Sequence, residues 1–575
     1  MKQKQFRKLF SFLARIPQDI IITTVSLFVT LFSYWNISKL YYLNDEWAQL
    51  GIVKVNGLYA SLQSFSLLDI LMGNGRVFGT VINNIFFRYF PLNPWPFAII
   101  AFIFHPINSL LVYKISKKLT SNTWISLISW GFFLTCSVSH QALSELTNPV
   151  QVLISTFFVL LSLNIFIEYM RTEKGYQFIV SWLCAYTAFL FKDSTMYTFI
   201  LLPILFVIFY SGKRKLITFV KLHICQAIIM IVTAVSRVIG YYGSPGINAV
   251  AIVKIPLWMH FSNNIIMYPL ASLSQFLIPY RFMYKIVPWF VRINYPVTMV
   301  YVTDPNVVYD LMASDFIAVI LSFVLIFLFA YSLFRGVIKR KTALVLGVLY
   351  ILNFMPIAAF LPWKNASYME SRYLYAIAVP ASIIFGSIFY SLFQFIQVFT
   401  KRKIEKVILI ICAVLFLCLF FVKQISIIRR EVYANVIRGN NTKNVVSQLT
   451  RMVPTLPDKP VIYIGGEGNY GHFNQKVPLE LGPGYVIMTL YYDQGKIPKS
   501  LINQVFLETM ASQGYKESEG KGFGYFWDKN QLLELIKNNT ISIDQVVALN
   551  YSTRDSTFTN ITKSFKEDAL KQFSQ

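Results

Sequence analysis

Acidic side chains are scarce in this sequence. Only 27 Asp and Glu accompany 52 Lys and Arg in 575 residues, a formal net charge of +25. Charged residues of both signs make up 14% of the chain against 55% hydrophobic, whereas a soluble domain carries about a quarter charged. So little charge leaves too little polar surface to cover a water-soluble globule of this size, and lipid must do part of the solvating. Cysteine is scarcer still: Cys136, Cys184, Cys225, Cys412 and Cys418 all lie in apolar stretches, which excludes a disulfide or metal framework. The tail beyond residue 425 has none and folds by its own packing. The five histidines, His105, His140, His223, His260 and His472, show no metal-ligand spacing, so no metal site is expected. There is no zinc-finger spacing, no compact nucleic-acid motif and no internal repeat of useful period. The cations are therefore not a nucleic-acid footprint.

What is present is a series of apolar runs. About 20 residues cross a bilayer, and runs of that kind fall near 19–37, 95–113, 123–143, 149–168, 176–191, 195–210, 219–240, 314–334, 342–361, 373–398 and 405–423. The first follows a basic start without a cleavage site and reads as a retained span. Basic clusters precede the first run (Lys2, Lys4, Arg7, Lys8, Arg15). Others follow the second (Lys114, Lys117, Lys118), the fourth (Arg171, Lys174) and the sixth (Lys213, Arg214, Lys215). The eighth is followed by Arg335, Lys339, Arg340 and Lys341, and the tenth by Lys401, Arg402 and Lys403. With eleven spans all of these clusters share one side. The positive-inside rule then places the N-terminus in the cytoplasm and the C-terminal region outside.

The expected fold class is mainly α: a polytopic transmembrane helix bundle of about eleven spans with a small extracytoplasmic α/β C-terminal domain. Residues 1–424 form the transmembrane module and 425–575 the outer domain. The loop 38–94, with YYLNDEWAQLG and GNGRVFGTVINNIFFRYF, reads as one or two interfacial amphipathic helices. The loop 241–313, rich in Pro, Trp and Tyr, reads as lying along the membrane surface. In the tail, KPVIYIGG reads as a buried strand ending in a glycine turn, 498–513 as a helix and KGFGYFWD as a strand. GGEGNYGHF lacks the phosphate-loop lysine and the dinucleotide-binding spacing, and reads as a loop.

In so acid-poor a chain the adjacent Asp45 and Glu46, just beyond the first span, stand out. Two carboxylates at an interface cost desolvation unless water or a ligand meets them. A carboxylate there can take the proton from an attacking hydroxyl, or simply cap the following helix. Further along come HPINSLLVYKISKKL (His105 to Leu119), HQALSELTNPVQVL with His140, Glu145 and Asn148, then Phe191-Lys192-Asp193, and last Glu370-Ser371-Arg372-Tyr373-Leu374-Tyr375. In their order and outer placement these motifs resemble the polytopic glycosyltransferases of the GT-C fold, which include the protein O-mannosyltransferases and the bacterial lipid A aminoarabinose transferase. The resemblance covers residues 1–400; the tail resembles no family.

That resemblance implies an inverting glycosyltransferase that takes its sugar from a polyprenyl phosphate at the outer leaflet. Asp45 is then the base and Glu46 its partner or substitute. Lys192, Arg372, Arg76 and Arg237 hold the donor phosphate, arginine bidentately and lysine as a point charge. His140, Glu145, Asn148, Asp193, Glu370 and Tyr373 meet donor or acceptor. The residues also admit structural roles, Arg372 as an interfacial anchor and Lys192 as a snorkelling helix end beside Asp193. No cofactor is implied beyond the lipid-linked sugar as co-substrate, and metal dependence stays open. The implied partners are the lipid bilayer, the polyprenyl-phosphate sugar, an extracytoplasmic glycan acceptor, and a polyprenyl-phosphate sugar synthase with a flippase. A composition rich in Ile, Phe, Lys and Asn fits a low-GC bacterium and acceptors such as cell-wall polysaccharide, teichoic acid or O-antigen. A transporter or flippase of a lipid-linked sugar shares the phosphate contacts but calls for polar mid-membrane residues and often paired repeats or broken helices; the middles of these runs are nearly free of charge, which argues against it. A non-catalytic glycan-binding scaffold is the third alternative.

Overall fold

In the computed structural model the described residues are 17–43, 45–58, 76–210, 217–224, 257–279, 305–358, 371–399, 402–466, 482–504 and 512–574, with 227–228, 231–232 and 506–507, less positions 553 and 556. The chain divides into two compact units. The first holds Met1–Trp35, Ser66–Gly79 and Ile99–Glu431; the second holds Asn36–Phe65, Thr80–Ala98 and Val432–Gln575.

The first unit is helical. Among the described residues of the whole chain, six helices are long and apolar enough to cross a membrane: Gln18–Lys39, Trp95–Thr120, Pro149–Thr172, Phe316–Phe334, Leu374–Val398 and Ile404–Met452. Three shorter apolar stretches, Thr123–Ser139, Gly175–Phe191 and Asp193–Phe209, lie between them. Phe327, Phe334, Leu419 and Val422 point out of the bundle, and only lipid covers apolar surface of that extent. The protein is thus a mainly helical, multi-pass membrane protein with a small sheet-containing C-terminal region.

Small residues draw the helices of the first unit together. A Cβ on Gly386 would meet Ser129 Oγ and, at 2.8 Å, the Ile125 carbonyl; one on Gly131 would meet the Phe421 ring at 2.6 Å. Ser162 and Ser181 donate to each other's carbonyls at 2.8 and 2.9 Å. Close backbone approach and interhelical hydroxyls replace the hydrophobic effect, which lipid abolishes between helices. The Thr123–Leu134 helix stops inside the apolar run 123–143. Hydroxyls there bond to local carbonyls, Thr135 to Gly131 at 2.8 Å and Ser139 to Cys136 at 3.1 Å, in competition with the helix.

The second unit contains a five-stranded sheet in the order β2-β3-β1-β4-β5. Its strands are β1 Val461–Gly466, β2 Gly514–Ser518, β3 Lys521–Phe526, β4 Val546–Ser552 and β5 Thr557–Asn560. The central β1 runs parallel to β3 and β4, with Val461 opposite Gly524 and Val546, while β2 and β5 are antiparallel edges. A parallel central strand is covered on both faces and reads as an unbroken apolar run, as VIYI does. Val461, Phe526, Leu532, Ile536, Ala548 and Phe565 form the core beneath it. The Lys529–Lys537 helix is capped by Asp528, which accepts from the Asn530 and Gln531 amides.

Two tail expectations gain detail. The apolar run 405–423 continues as one helix, Lys403–Met452, that ends before Pro454. Of the helix expected over 498–513, the described residues hold Lys499–Asn503, and Leu507 adopts a left-handed φ of 61° that a helix cannot contain.

Candidate functional site

The first unit gathers charge where two helices break. After Gly175–Phe191 the chain opens at Lys192 into an extended residue and then the 3-10 turn Asp193–Tyr197. Local side chains account for the break: Asp193 Oδ1 accepts from the Ser194 amide at 2.9 Å, and Thr195 Oγ1 donates to the Lys192 carbonyl at 2.8 Å. The second break is a π-helical turn, Pro149–Leu153, ahead of the Ile154–Thr172 helix. Such turns often sit at functional sites.

Arg76 and Arg372 are each paired there. Arg76 Nε lies 3.3 Å from Asp193 Oδ1, and its Nη1 donates to Gln151 on the π turn at 3.1 Å. Arg372 Nη1 lies 3.1 Å from Glu145 Oε2, which also accepts from the Asn148 amide group. The Arg372 backbone N–H donates to Gln141 at 3.3 Å. Tyr373 offers its ring to both remaining cations, with Lys192 Nζ 5.5 Å and Arg372 Cζ 5.4 Å from the centroid.

Lys192 differs from the two arginines. It is only 7% exposed, and among the described residues no hydrogen-bond acceptor or carboxylate lies within bonding reach of its ammonium. Burial, then Arg76 and Arg372, pull its pKa down to about 7, against a smaller pull upward from Asp193 and Glu145. Lys192, Arg372, Tyr373, Ser194, Thr195 and Asn353 line a narrow cleft with about 20 Å³ of free space, room for one water. A buried cation without a counter-ion is costly, and an anion entering the cleft mouth removes that cost.

A buried network holds this end of the bundle. A carbonyl can only accept, so the contact of His105 Nε2 with the Leu134 carbonyl at 3.2 Å makes Nε2 the protonated nitrogen of the neutral ring. Nδ1 then accepts from the Tyr375 hydroxyl at 2.8 Å. Asn108 donates to that same hydroxyl at 3.2 Å and to the Leu153 carbonyl at 3.0 Å. One helix thereby holds the end of the Thr123–Leu134 helix, the end of the π turn, and the residue three after Arg372.

Of the residues expected from sequence, Arg76, Glu145, Asn148, Lys192, Asp193, Arg372 and Tyr373 come together in the first unit. His140 lies in that unit too, its Nδ1 3.0 Å from the Ser137 carbonyl. Asp45 and Glu46 belong to the second unit. Asp45 opens the Asp45–Asn56 helix, and its side chain lies outside the described residues. Glu46 is buried at 7% exposure and accepts from the Leu43 amide at 3.4 Å. Arg237 and Glu370 lie outside the described residues, as does His472 in the Gly-rich segment. Among the described residues no three His, Cys, Asp or Glu side chains are grouped to hold a metal ion.

Gln141, Gln151, Asn108 and Tyr375 were not read as site residues from sequence. Their spacing carried no usable signal: 141, 145, 148 and 151 step by three and four, yet the Gln141–Ser144 helix ends at an extended Glu145 and Gln151 sits on the separate π turn.

No model of a known protein family matches the chain, and no curated protein matches its sequence. Solved structures do. The chain is similar to an archaeal oligosaccharyltransferase and to ArnT. Against the apo oligosaccharyltransferase of Archaeoglobus fulgidus the identity is 12% and the TM-score 0.43, over 87% of this chain and 69% of that one. Against a second structure, the A. fulgidus enzyme AglB with an inhibitory peptide and a dolichol-phosphate, they are 10% and 0.39, over 82% and 63%, so this chain spans less than two thirds of it. Apo ArnT from Cupriavidus metallidurans is 10% identical with a TM-score of 0.40, over 92% of both chains.

Proposed function

We propose that the protein is a membrane glycosyltransferase that moves a sugar from a polyprenyl-phosphate carrier to an extracytoplasmic acceptor such as cell-wall polysaccharide, teichoic acid or O-antigen. The observation that carries the reading is Lys192, a buried ammonium with no described acceptor, flanked by Arg372 and Arg76. Such a site suits the phosphate of a lipid whose tail stays in the bilayer. In this reading eleven spans put the N-terminus in the cytoplasm and the second unit's sheet outside. A synthase and a flippase supply the donor.

The reaction is written as an inverting displacement. Asp45 takes the proton of the acceptor hydroxyl as its oxygen attacks the anomeric carbon from the face opposite the phosphate. The bond between that carbon and the phosphate oxygen breaks, and the electron pair leaves with the phosphate. Charge grows on that oxygen in the transition state, so cations fixed beside it favour the transition state over the bound donor. The arginines bind phosphate oxygens through their planar forks, and Lys192 adds a compact charge. Glu46 is the partner or substitute of Asp45, and His140, Asn148, Tyr373, Arg237 and Glu370 are the further contacts.

The test is the mass profile of cell-surface glycans in cells that express the wild-type chain or Asp45→Asn at equal membrane abundance. The expected result is loss of one sugar increment in the variant. A full wild-type profile from Asp45→Asn removes the proposed base. A wild-type protein that moves lipid-linked sugar across vesicles without transferring it makes the chain a transporter instead.

A further inference from the structure

We propose that the C-terminal domain is the platform that holds the acidic-pair helix in register, with Gly51, Tyr485 and the Lys54–Asp493 ion pair as its positioning residues. This rests on the reading of Asp45 as the base, and it assigns the domain a part in the transfer step itself.

The contacts all lie within the second unit. The Asp45–Asn56 helix packs on the Pro483–Tyr491 helix and on Lys499–Asn503. The approach is closest at Gly51, where an added Cβ would stand 2.7 Å from the Tyr485 hydroxyl and 3.0 Å from Thr489 Oγ1. Tyr485 is fully buried and its hydroxyl reaches the Ala48 carbonyl at 3.4 Å. One turn further on, Lys54 Nζ lies 2.7 Å from Asp493 Oδ2 and donates to the Thr489 carbonyl at 3.2 Å. Asn56 donates to Asn503 at 2.9 Å. The residues leading into the helix are held as well. Tyr41 lies against Gly439, where a Cβ would come within 2.9 Å of the Tyr41 amide, and Trp47 meets Tyr42 edge-on at 5.7 Å.

These contacts constrain the helix along its length. Asp45 stands six residues before Gly51, about 9 Å along the axis, and a helix that short moves as a rod. Ordinary contact begins near 3.4 Å, so a methyl 2.7 Å from the hydroxyl displaces the helix or the tyrosine by about 0.7 Å. A misplacement of about 1 Å can cost a hundredfold in rate.

The experiment measures kcat and donor KM for sugar transfer by the purified full chain and its variants. Gly51→Ala is expected to lower kcat between about tenfold and a hundredfold with donor KM unchanged. The donor phosphate is assigned to residues of the first unit, which the substitution does not touch. Adding Tyr485→Phe, which removes the closest atom and leaves Thr489 Oγ1 at 3.0 Å, is expected to restore part of the loss. Asp493 is largely exposed, at 73%, so Asp493→Lys leaves the core intact. It is expected to lower kcat several-fold, and Lys54→Asp in the same chain to restore it. Unchanged kcat in Gly51→Ala and Asp493→Lys overturns the platform while leaving the transferase reading standing. Losses that neither second substitution restores also overturn it. A wild-type chain that transfers no sugar sinks the transferase reading first, and the platform with it.

Discussion

Raising the pH from 6 to 9 should weaken binding of a short-chain prenyl phosphodiester nearly a hundredfold. Lys192 is the cause. Its pKa is lowered to about 7, first by burial and then by Arg76 and Arg372, with Asp193 and Glu145 opposing. A phosphodiester keeps one negative charge across this range, so the ligand does not titrate. At about 4 Å and an effective dielectric of about 20, its attraction to the ammonium is about 4 kcal/mol. At 1.36 kcal/mol per pKa unit this raises Lys192 by about three units, to about 10 in the complex. Between 7 and 10 the complex holds a proton that the free protein lacks, so affinity falls about tenfold per pH unit. Folding responds in the opposite sense. Between about 7 and the ordinary value of 10.5 the unfolded chain holds the extra proton, so on this account stability rises with pH. The assay is the dissociation constant in lipid nanodiscs at constant ionic strength from pH 6 to 9, for wild type and Lys192→Met. The Lys192→Met comparison assigns the slope to the lysine. A wild-type affinity flat with pH, or an unchanged slope in Lys192→Met, refutes the reasoning.

Two packing predictions follow from the first unit. Asn108→Ala removes the donor to both the Leu153 carbonyl and the Tyr375 hydroxyl, costing about 1–3 kcal/mol at about 0.5–1.5 kcal/mol for each bond; a lowered melting temperature and a loosened Arg76–Gln151 contact, read as weaker phosphodiester binding, check it. Gly386→Val drives a side chain into Ser129 Oγ and the Ile125 carbonyl, an overpacking cost of about 1–3 kcal/mol. A lower melting temperature in detergent is expected, with a smaller drop for Gly386→Ala.

Much of the architecture was legible in the chain order of residues. Long apolar runs have one way to satisfy their backbone in lipid, the helix, so runs such as 95–113, 149–168 and 373–398 are helical. A central parallel strand shows as an unbroken apolar run, and VIYI was legible for that reason. Where helices stop was less so. The run 123–143 is apolar throughout, yet hydroxyls at Thr135 and Ser139 end its helix at Leu134. The run 405–423 gave no sign of continuing to Met452.

For the candidate site, local sequence determined which residues were present and roughly at which helix ends, because charge in so apolar a chain collects where the spans stop. It gave no partners to Arg76 and Arg372. Only the fold pairs Arg76 with Asp193, 117 positions away, and Arg372 with Glu145, 227 positions away, and leaves Lys192 buried over Tyr373. Pairing depends on distance in space, and residue order carries no distance between helices. The same holds for Gly51 and Gly439. In sequence neither is distinguished from the chain's other glycines; in the fold each lies inside a helix at a point where another element comes too close for a side chain.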